Sequence, residues 1–231
     1  MPKNIRIIIS LIVIFILIPL TLFAGITVMA DRKYYFISLV IMVLACIPFF
    51  LSFERRKPQP REILIIAVMS AISVAGRALF VVTPGFKPVA AITAITGFSL
   101  GAEAGFLTGA ISALVSNMFF GQGPWTPFQM FMWGIIGFIA GLLGKTGVMH
   151  KKIPLIIFGI SAGIFFSFGM DIWGTVSIYG VFSWKAYSLA LTSAVPFTII
   201  YAISNVIFLL LLAKPISEKL ERIKNKYGIL Q

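Results

Sequence analysis

Long, uninterrupted apolar runs are the feature that most constrains the fold of this chain. The run IRIIISLIVIFILIPLTLFAGI begins at Ile5, and several later stretches have a similar length and composition. A helix needs about 20 apolar residues to cross the hydrocarbon core of a bilayer, and backbone groups in lipid must be hydrogen-bonded within the chain. The 231 residues are 59% hydrophobic and only 11% charged. The sequence therefore predicts an all-α, polytopic membrane protein.

The apolar runs divide the chain into three predicted units. Residues 1–60 form a membrane preface of two helices that ends in the polar linker ERRKPQPRE, residues 61–214 form a six-helix core, and residues 215–231 form a basic tail. The first run is longer than the about 7 to 15 apolar residues of a signal peptide, which favours an uncleaved anchor. The eight predicted spans are 5–30, 34–53, 62–82, 86–100, 103–120, 126–144, 153–173 and 189–213.

The formal net charge of +12 is explained by membrane topology rather than by nucleic-acid binding. If the segment 89–120 is a hairpin that turns at residues 101–103, fourteen of the nineteen basic residues fall on one side of the membrane. The positive-inside rule then predicts a multi-pass membrane protein with both termini in the cytoplasm. The polar stretch GQGPWTPFQ, residues 121–129, is expected to face outward.

Residue types that carry enzyme chemistry are scarce. The sequence has one histidine, His150, and one cysteine, Cys46, and it contains no HExxH motif, paired aspartate motif or Walker loop. Among the carboxylates only Asp171 is predicted at membrane depth. We therefore expect no catalysis, no metal site, no cofactor and no intrinsic ATPase activity, so that any uphill transport takes its energy from another subunit.

Polar and aromatic residues gather at the outward ends of the core spans, on three separate loops. A site with a few aimed polar groups among apolar and aromatic side chains is typical of sites for bulky organic ligands, and a charge near the bilayer is usually paired, which suggests an Arg77–Asp171 ion pair. The alternative is a structural ion pair with an interfacial aromatic belt. The candidate substrate-binding residues are Arg77, Lys87, Asn117, Gln122, Gly123, Trp125, Thr126, Gln129, Asp171, Trp173 and Trp184.

Small residues recur at helical spacing in two places. Ala67, Ala71 and Ala75 form a stripe along the first core span, and glycines occupy positions 97, 101, 105 and 109. Such stripes let helix backbones approach closely. For the glycines, packing within this chain is the favoured interpretation.

The core resembles the substrate-binding S component of energy-coupling factor (ECF) vitamin transporters. The resemblance rests on AVMSA as the family's AxxxA, on six core spans, on outward loops after the first, third and fifth of them, on the basic tail, and on the run AGFLTGAISALVSNMFFGQGPWTPFQMFMWGIIGFIAGLLG. It implies a prokaryotic plasma membrane as the location, and a transmembrane scaffold subunit and two cytoplasmic ATPases as partners. It also implies that Ala67, Ala71 and Ala75 contact the scaffold. The two preface helices depart from the family's six spans.

The long run is most similar to the cobalamin-type members of the family. Cobalamin or a related corrinoid is therefore the first expected ligand. Its amide-rich periphery is expected to hydrogen-bond with Gln122, Thr126, Gln129 and Asn117, and Trp125 is expected to pack on its ring. Riboflavin, a queuosine precursor and another vitamin stay open as ligands. A membrane enzyme acting on a lipid or isoprenoid, and an assembly protein without a ligand, are the alternatives from other classes.

Overall fold

The computed structural model describes residues 3–27, 40, 44, 60–123, 125–179 and 183–228. Every regular element in these residues is helical, which confirms the all-α, polytopic membrane fold. The second predicted preface helix, 34–53, lies outside the described residues except for Val40 and Leu44, which are both helical.

The first preface helix packs against the core. It consists of α1 (Lys3–Ile12), a π-helical turn (Val13–Leu17) and α2 (Ile18–Thr27) in direct succession. Val13 and Ile18 are buried, and the ring of Phe15 meets that of Phe138 edge-on, with centroids 6.2 Å apart. Ser10 Oγ donates a hydrogen bond to Glu103 Oε1 at 3.3 Å. The preface helix therefore has buried contacts with the bundle in addition to its lipid-facing side chains.

Six helices form the core: α3 (Pro60–Leu79), α4 (Val89–Leu100), α5 (Ala102–Phe120), α6 (Trp125–Gly144), α7 (Lys152–Tyr179) and α8 (Trp184–Tyr227). All except α4 are long and apolar enough to cross a membrane. The predicted fourth span began at residue 86, whereas residues 86–88 belong to the loop that precedes α4. The X-Pro bond before Pro88 disfavours helical backbone at Lys87, which accounts for the later start.

Helix α4 is the centre of the bundle. All twelve of its residues are buried, and it packs against α3, α5, α6 and α8. At a rise of 1.5 Å per residue, its length is only about 18 Å, which is less than the about 30 Å of a hydrocarbon core. A helix this short and this enclosed contributes to the core of the protein rather than to its lipid-facing surface.

The glycines bring α4, α5 and α6 into direct backbone contact. A Cβ atom added at Gly97 or Gly105 would collide with the backbone of Gly137, and one at Gly109 would collide with the backbone of Trp133. Gly101 joins α4 to α5 with φ of +107°, a value that favours glycine. The hairpin predicted at this position is confirmed, and so is the packing of glycines 97, 105 and 109 within the chain.

Helix α8 continues far beyond the predicted last span. Its 44 residues correspond to about 66 Å, and the region predicted as a basic tail is helical as far as Tyr227. Ser217 and Leu220 are buried, Arg61 lies over the ring of Tyr227 at 4.5 Å, and His150 Nε2 is 3.8 Å from Glu221 Oε1. These contacts gather the start of α3, the turn after α6 and the end of α8 at one end of the bundle. The assignment of that end to the cytoplasm stays a prediction.

Replacing Gly105 by alanine is expected to lower the stability of the protein. The added methyl group would have to displace helix backbone, and overpacking of this kind costs about 1–3 kcal/mol. Thermal unfolding in detergent, followed by intrinsic fluorescence, measures the change. Gly174→Ala is the control, because a Cβ atom added there would have no atom within 4 Å of it. Equal unfolding temperatures for the two variants would contradict the role given to glycine packing.

Candidate functional site

Arg77 lies near the end of α3 and points into the bundle. Its Nη1 atom donates hydrogen bonds to Ser116 Oγ and, at 2.7 Å, to Asn117 Oδ1. The guanidinium carbon lies 5.1 Å from the ring centroid of Phe120 and 5.4 Å from that of Trp133. Arginine is well suited to this position, because its planar cation can donate hydrogen bonds in its plane while its face contacts aromatic rings.

Asn117 extends this network into the polar stretch 121–129. Its Nδ2 atom donates to Thr126 Oγ1 at 2.9 Å and to Gln129 Oε1 at 2.8 Å. Thr126 Oγ1 in turn donates to Gln122 Oε1 at 2.8 Å, and Gln122 Nε2 donates to the carbonyl oxygen of Leu114 at 3.0 Å. Asn117 and Thr126 are fully buried. Both Nδ2 protons of Asn117 and the hydroxyl proton of Thr126 are therefore used within the chain.

The expected ion pair between Arg77 and Asp171 is not formed. Arg77 bonds to α5 instead, while Asp171 lies on α7. Asp171 Oδ2 is buried and has no hydrogen-bond partner among the described residues. The prediction matched the two charges by depth in the membrane, but depth does not specify toward which neighbouring helix a side chain points.

The predicted tryptophans do not form a single cluster. Trp125 and Trp173 meet with ring centroids 6.4 Å apart, and the ring of Trp125 covers Gly123 so closely that a Cβ atom there would collide with it. Trp184, by contrast, is 76% exposed at the start of α8, where its ring contacts that of Tyr187. Trp125, Trp173 and Gly123 are thus brought together, and Trp184 lies apart from them.

Three aromatic residues that are not among the candidate substrate-binding residues predicted from the sequence form a continuous cluster across the bundle. The rings of Trp133 and Phe166 are parallel within 7°, with centroids 5.2 Å apart, and Phe166 meets Tyr201 edge-on at 5.1 Å. The guanidinium of Arg77 also lies over the ring of Trp133. These contacts together connect α3, α6, α7 and α8. With 22 phenylalanines in the chain, no sequence pattern distinguishes Phe166 from the others.

A small cavity lies beside this stack. Its volume is about 10 Å³ and its lining includes both polar and aromatic side chains. A volume of this order accommodates about one water molecule and no larger solute. The lining residues are Gly85, Lys87, Val89, Ala90, Trp133, Phe166, Tyr201 and Asn205.

The loop 80–88 contributes Gly85 and Lys87 to the cavity lining and is hydrogen-bonded to α8. The backbone N–H of Lys87 donates to Ser204 Oγ at 2.9 Å, and the same hydroxyl donates to the carbonyl oxygen of Lys87 at 3.1 Å. Phe80, Phe86 and Phe208 form an aromatic cluster with centroids 5.1 to 5.6 Å apart. Burial lowers the pKa of the Lys87 ammonium to about 8, and the nearby positive charge of Arg77 contributes to the lowering.

The fold and the site define the class as a helical membrane protein that has a small cavity lined by aromatic and polar side chains. The family model for the S component of the ECF-type riboflavin transporter matches residues 57–222, more than two thirds of the chain, and the chain belongs to this family. Comparison with curated proteins and with solved structures gives no match.

Family membership confirms part of the sequence analysis. The chain is an S component of an ECF-type transporter, a substrate-binding subunit for vitamin uptake, and the family is not one of enzymes. The similarity to cobalamin-type members is not confirmed, because the matching family is of the riboflavin type.

A double-mutant cycle tests the hydrogen-bond assignment of Arg77. Arg77→Ala and Asn117→Ala are expected to be non-additive in their effect on stability, with a coupling of about 0.5–3 kcal/mol, because the two side chains are in contact. Arg77→Ala and Asp171→Ala are expected to be additive. Chemical unfolding of the six proteins in detergent gives both comparisons. A coupling to Asp171 larger than that to Asn117 would restore the ion pair that the sequence suggested.

Proposed function

We propose that this S component binds riboflavin, or a ligand with the same planar tricyclic ring system, in the cavity region under loop 80–88. The observation that carries the proposal is the parallel stack of Trp133 and Phe166 beside the cavity, in a member of the riboflavin-type family. A planar aromatic ligand binds favourably to aromatic side chains in offset-stacked or edge-to-face arrangements. Lys87 and Asn205, which line the same cavity, supply polar groups for the ligand's carbonyl and hydroxyl groups.

Cobalamin becomes the weaker candidate because of the hydrogen bonds of Asn117 and its neighbours. The corrinoid contacts expected from the sequence include hydrogen bonds from the amides of Asn117, Gln122 and Gln129 to the ligand. In the structure these side chains bond to one another, to Thr126 and to Leu114. A corrinoid periphery would then meet few uncommitted donors, and leaving polar groups unpaired on binding costs affinity. We therefore assign a positioning role to this network and place cobalamin after riboflavin.

The cavity must enlarge before any vitamin can bind. Because it holds about 10 Å³, a flavin ring requires movement of loop 80–88 and separation of the rings that stack there. The loop is held by two hydrogen bonds to the Ser204 hydroxyl and by a cluster of three phenylalanine rings. These contacts can break and form again when the loop moves. We propose that the ligand enters from outside past this loop.

The partners follow from the family. We propose that the chain assembles with a transmembrane scaffold subunit and two cytoplasmic ATPases, which supply the energy for release of the vitamin into the cytoplasm. The surface that supports this is an open groove of about 900 Å³ between α3 and α5, in which Ala67, Ala71 and Ala75 face outward from α3. Opposite them, Leu107 and Ile111 of α5 form the second wall. Small exposed side chains on a membrane helix permit close contact with a helix of another subunit.

Phe166→Ala is expected to weaken riboflavin binding at least about tenfold, because it removes one ring of the stack that we assign to the ligand. Quenching of flavin fluorescence on titration with the purified protein measures the affinity. Phe197→Ala is the matched control, since Phe197 is 49% exposed on α8 and lies outside the cavity lining. An unchanged affinity in Phe166→Ala would contradict the placement of the ligand beside the stack.

A vitamin panel distinguishes the ligand hypotheses. A ligand that binds the folded state raises the apparent unfolding temperature, so riboflavin is expected to stabilise the protein more than cobalamin, a queuosine precursor or other vitamins do at equal concentration. Stabilisation by cobalamin alone would return the corrinoid to first place. No stabilisation by any compound would favour the assembly protein without a ligand.

Ala71→Trp is expected to abolish co-purification with the scaffold and ATPases while riboflavin binding is retained. The indole would fill the groove between α3 and α5, whose lining shares no residue with that of the cavity. Ile199→Trp is the control, because it adds bulk at an exposed position of α8. Retained assembly with lost ligand binding would reverse the roles of the two surfaces.

A further inference from the structure

Two positively charged side chains lie at the cavity without a carboxylate partner. Lys87 belongs to the cavity lining, and the guanidinium of Arg77 lies over the ring of Trp133, which lines the same cavity. Both cations are partly buried. Neither forms an ion pair within the part of the chain that the structure describes. The cavity region therefore has two positive charges that no adjacent carboxylate neutralises.

The carboxylates of the described residues lie elsewhere in the bundle. Glu62 is in the first turn of α3, fifteen residues before Arg77 and about 22 Å from it along the helix. The other described glutamates belong to the start of α5 and to the tail of α8. Asp171, on α7, does not pair with Arg77. A charge separated by more than about 10 Å contributes little to neutralising another near water.

Two neighbouring cations without an anion are unfavourable in a partly buried site. Each loses hydration, and each raises the cost of the other. Their mutual effect is seen at Lys87, because the charge of Arg77 contributes to lowering the pKa of its ammonium. An anion that binds beside them removes both costs. Riboflavin is uncharged near neutral pH, so it would enter this region without balancing either cation.

We propose that the ligand carries a phosphate monoester, so that this S component binds riboflavin 5′-phosphate in preference to riboflavin, with the phosphate at Lys87. The inference rests on the proposed function and adds the charge of the ligand to it. A phosphate monoester has a charge of about −1.5 to −2 at pH 7, which balances two cations, whereas a carboxylate would balance one. Lys87 contacts the phosphate directly, and Arg77 contributes through its charge.

The proposed ligand fits the arrangement of the cavity wall. The aromatic rings of Trp133 and Phe166 belong to α6 and α7, whereas Lys87 belongs to the loop 80–88, whose residues 81–84 are exposed. The flavin ring would then lie against the aromatic side chains within the bundle. The phosphate would lie at the loop, where it keeps part of its hydration. A ligand with an aromatic ring at one end and an anion at the other matches this separation.

The test compares riboflavin and riboflavin 5′-phosphate by calorimetric titration of the full-length protein in nanodiscs of uncharged lipid. The phosphate ester is expected to bind about ten- to hundredfold more tightly, the range that corresponds to a hydrogen bond with a charged group. Lys87→Gln is expected to remove most of this preference. It should change the affinity for riboflavin less than about twofold, because glutamine retains a donor for neutral groups. Lys87→Arg, which retains the charge, is expected to retain the preference.

Lys185→Gln is the matched control. Lys185 is an exposed residue of α8 outside the cavity lining, so its loss lowers the net charge of the protein equally but should leave the preference intact. An equal decrease in the two variants would overturn the inference, since the preference would then reflect overall charge.

The other outcomes separate this inference from the proposed function. If the unmodified protein binds riboflavin at least as tightly as its phosphate ester, the inference is wrong and the proposed function stands. A preference that survives Lys87→Gln would show that the phosphate is not bound by Lys87. Equal losses of both ligands in Lys87→Gln would also overturn the assignment, because Lys87 would then act on the part that they share. If neither flavin binds to the unmodified protein, the proposed function and the inference are both wrong.

Discussion

Direct backbone contact between α4, α5 and α6 is the constraint on which the other features of the core depend. It requires glycine at positions 97, 105 and 137, where any side chain would meet backbone atoms of the facing helix. Lipid tails are as apolar as the side chains, so close packing contributes strongly to helix association in membranes. This contact encloses α4, which is too short to span the bilayer by itself, and it fixes the position of α6 on which Trp133 is presented.

Near the end of α5, a polar network holds neighbouring helices together, as the glycine contacts do nearer the start of this helix. Asn117 joins Arg77 of α3 to Thr126 and Gln129 of α6, so that three helices are connected by one side chain. Such a network is favourable only when its donors are satisfied, because an unpaired buried group loses the hydrogen bonds it had in water. Gly121, with φ of +104°, allows the turn out of α5, while the amides of Gln122 and Gln129 and the hydroxyl of Thr126 complete the network.

The sequence predicted the features that depend on length, charge and spacing. The core spans, the hairpin at Gly101 and the packing role of glycines 97, 105 and 109 follow from apolar runs, charge distribution and helical periodicity. It did not predict features that depend on the direction of a side chain around its helix. The prediction of an Arg77–Asp171 ion pair was wrong for this reason. The contacts among Trp133, Phe166 and Tyr201 were missed because these residues belong to three helices, and the sequence of one helix does not specify its rotation relative to another. The continuation of α8 into the tail was missed because its many charged residues resemble those of a solvated segment. Among the described tail residues, Ser217 and Leu220 are the buried ones.

Helix α3 connects the two surfaces that the proposed function requires. Ser70 and Arg77 are seven residues apart, about two helical turns or 10 Å. Arg77 faces inward and contacts Trp133 of the aromatic stack, whereas Ser70 and the alanines line the groove. Because both sets of contacts belong to one uninterrupted helix, a displacement of Trp133 on ligand binding that moves Arg77 must also move a wall of the groove. Under the proposed function, the ligand region and the docking surface therefore share α3, and the hydrogen bonds of Arg77 to Ser116 and Asn117 hold that helix against α5.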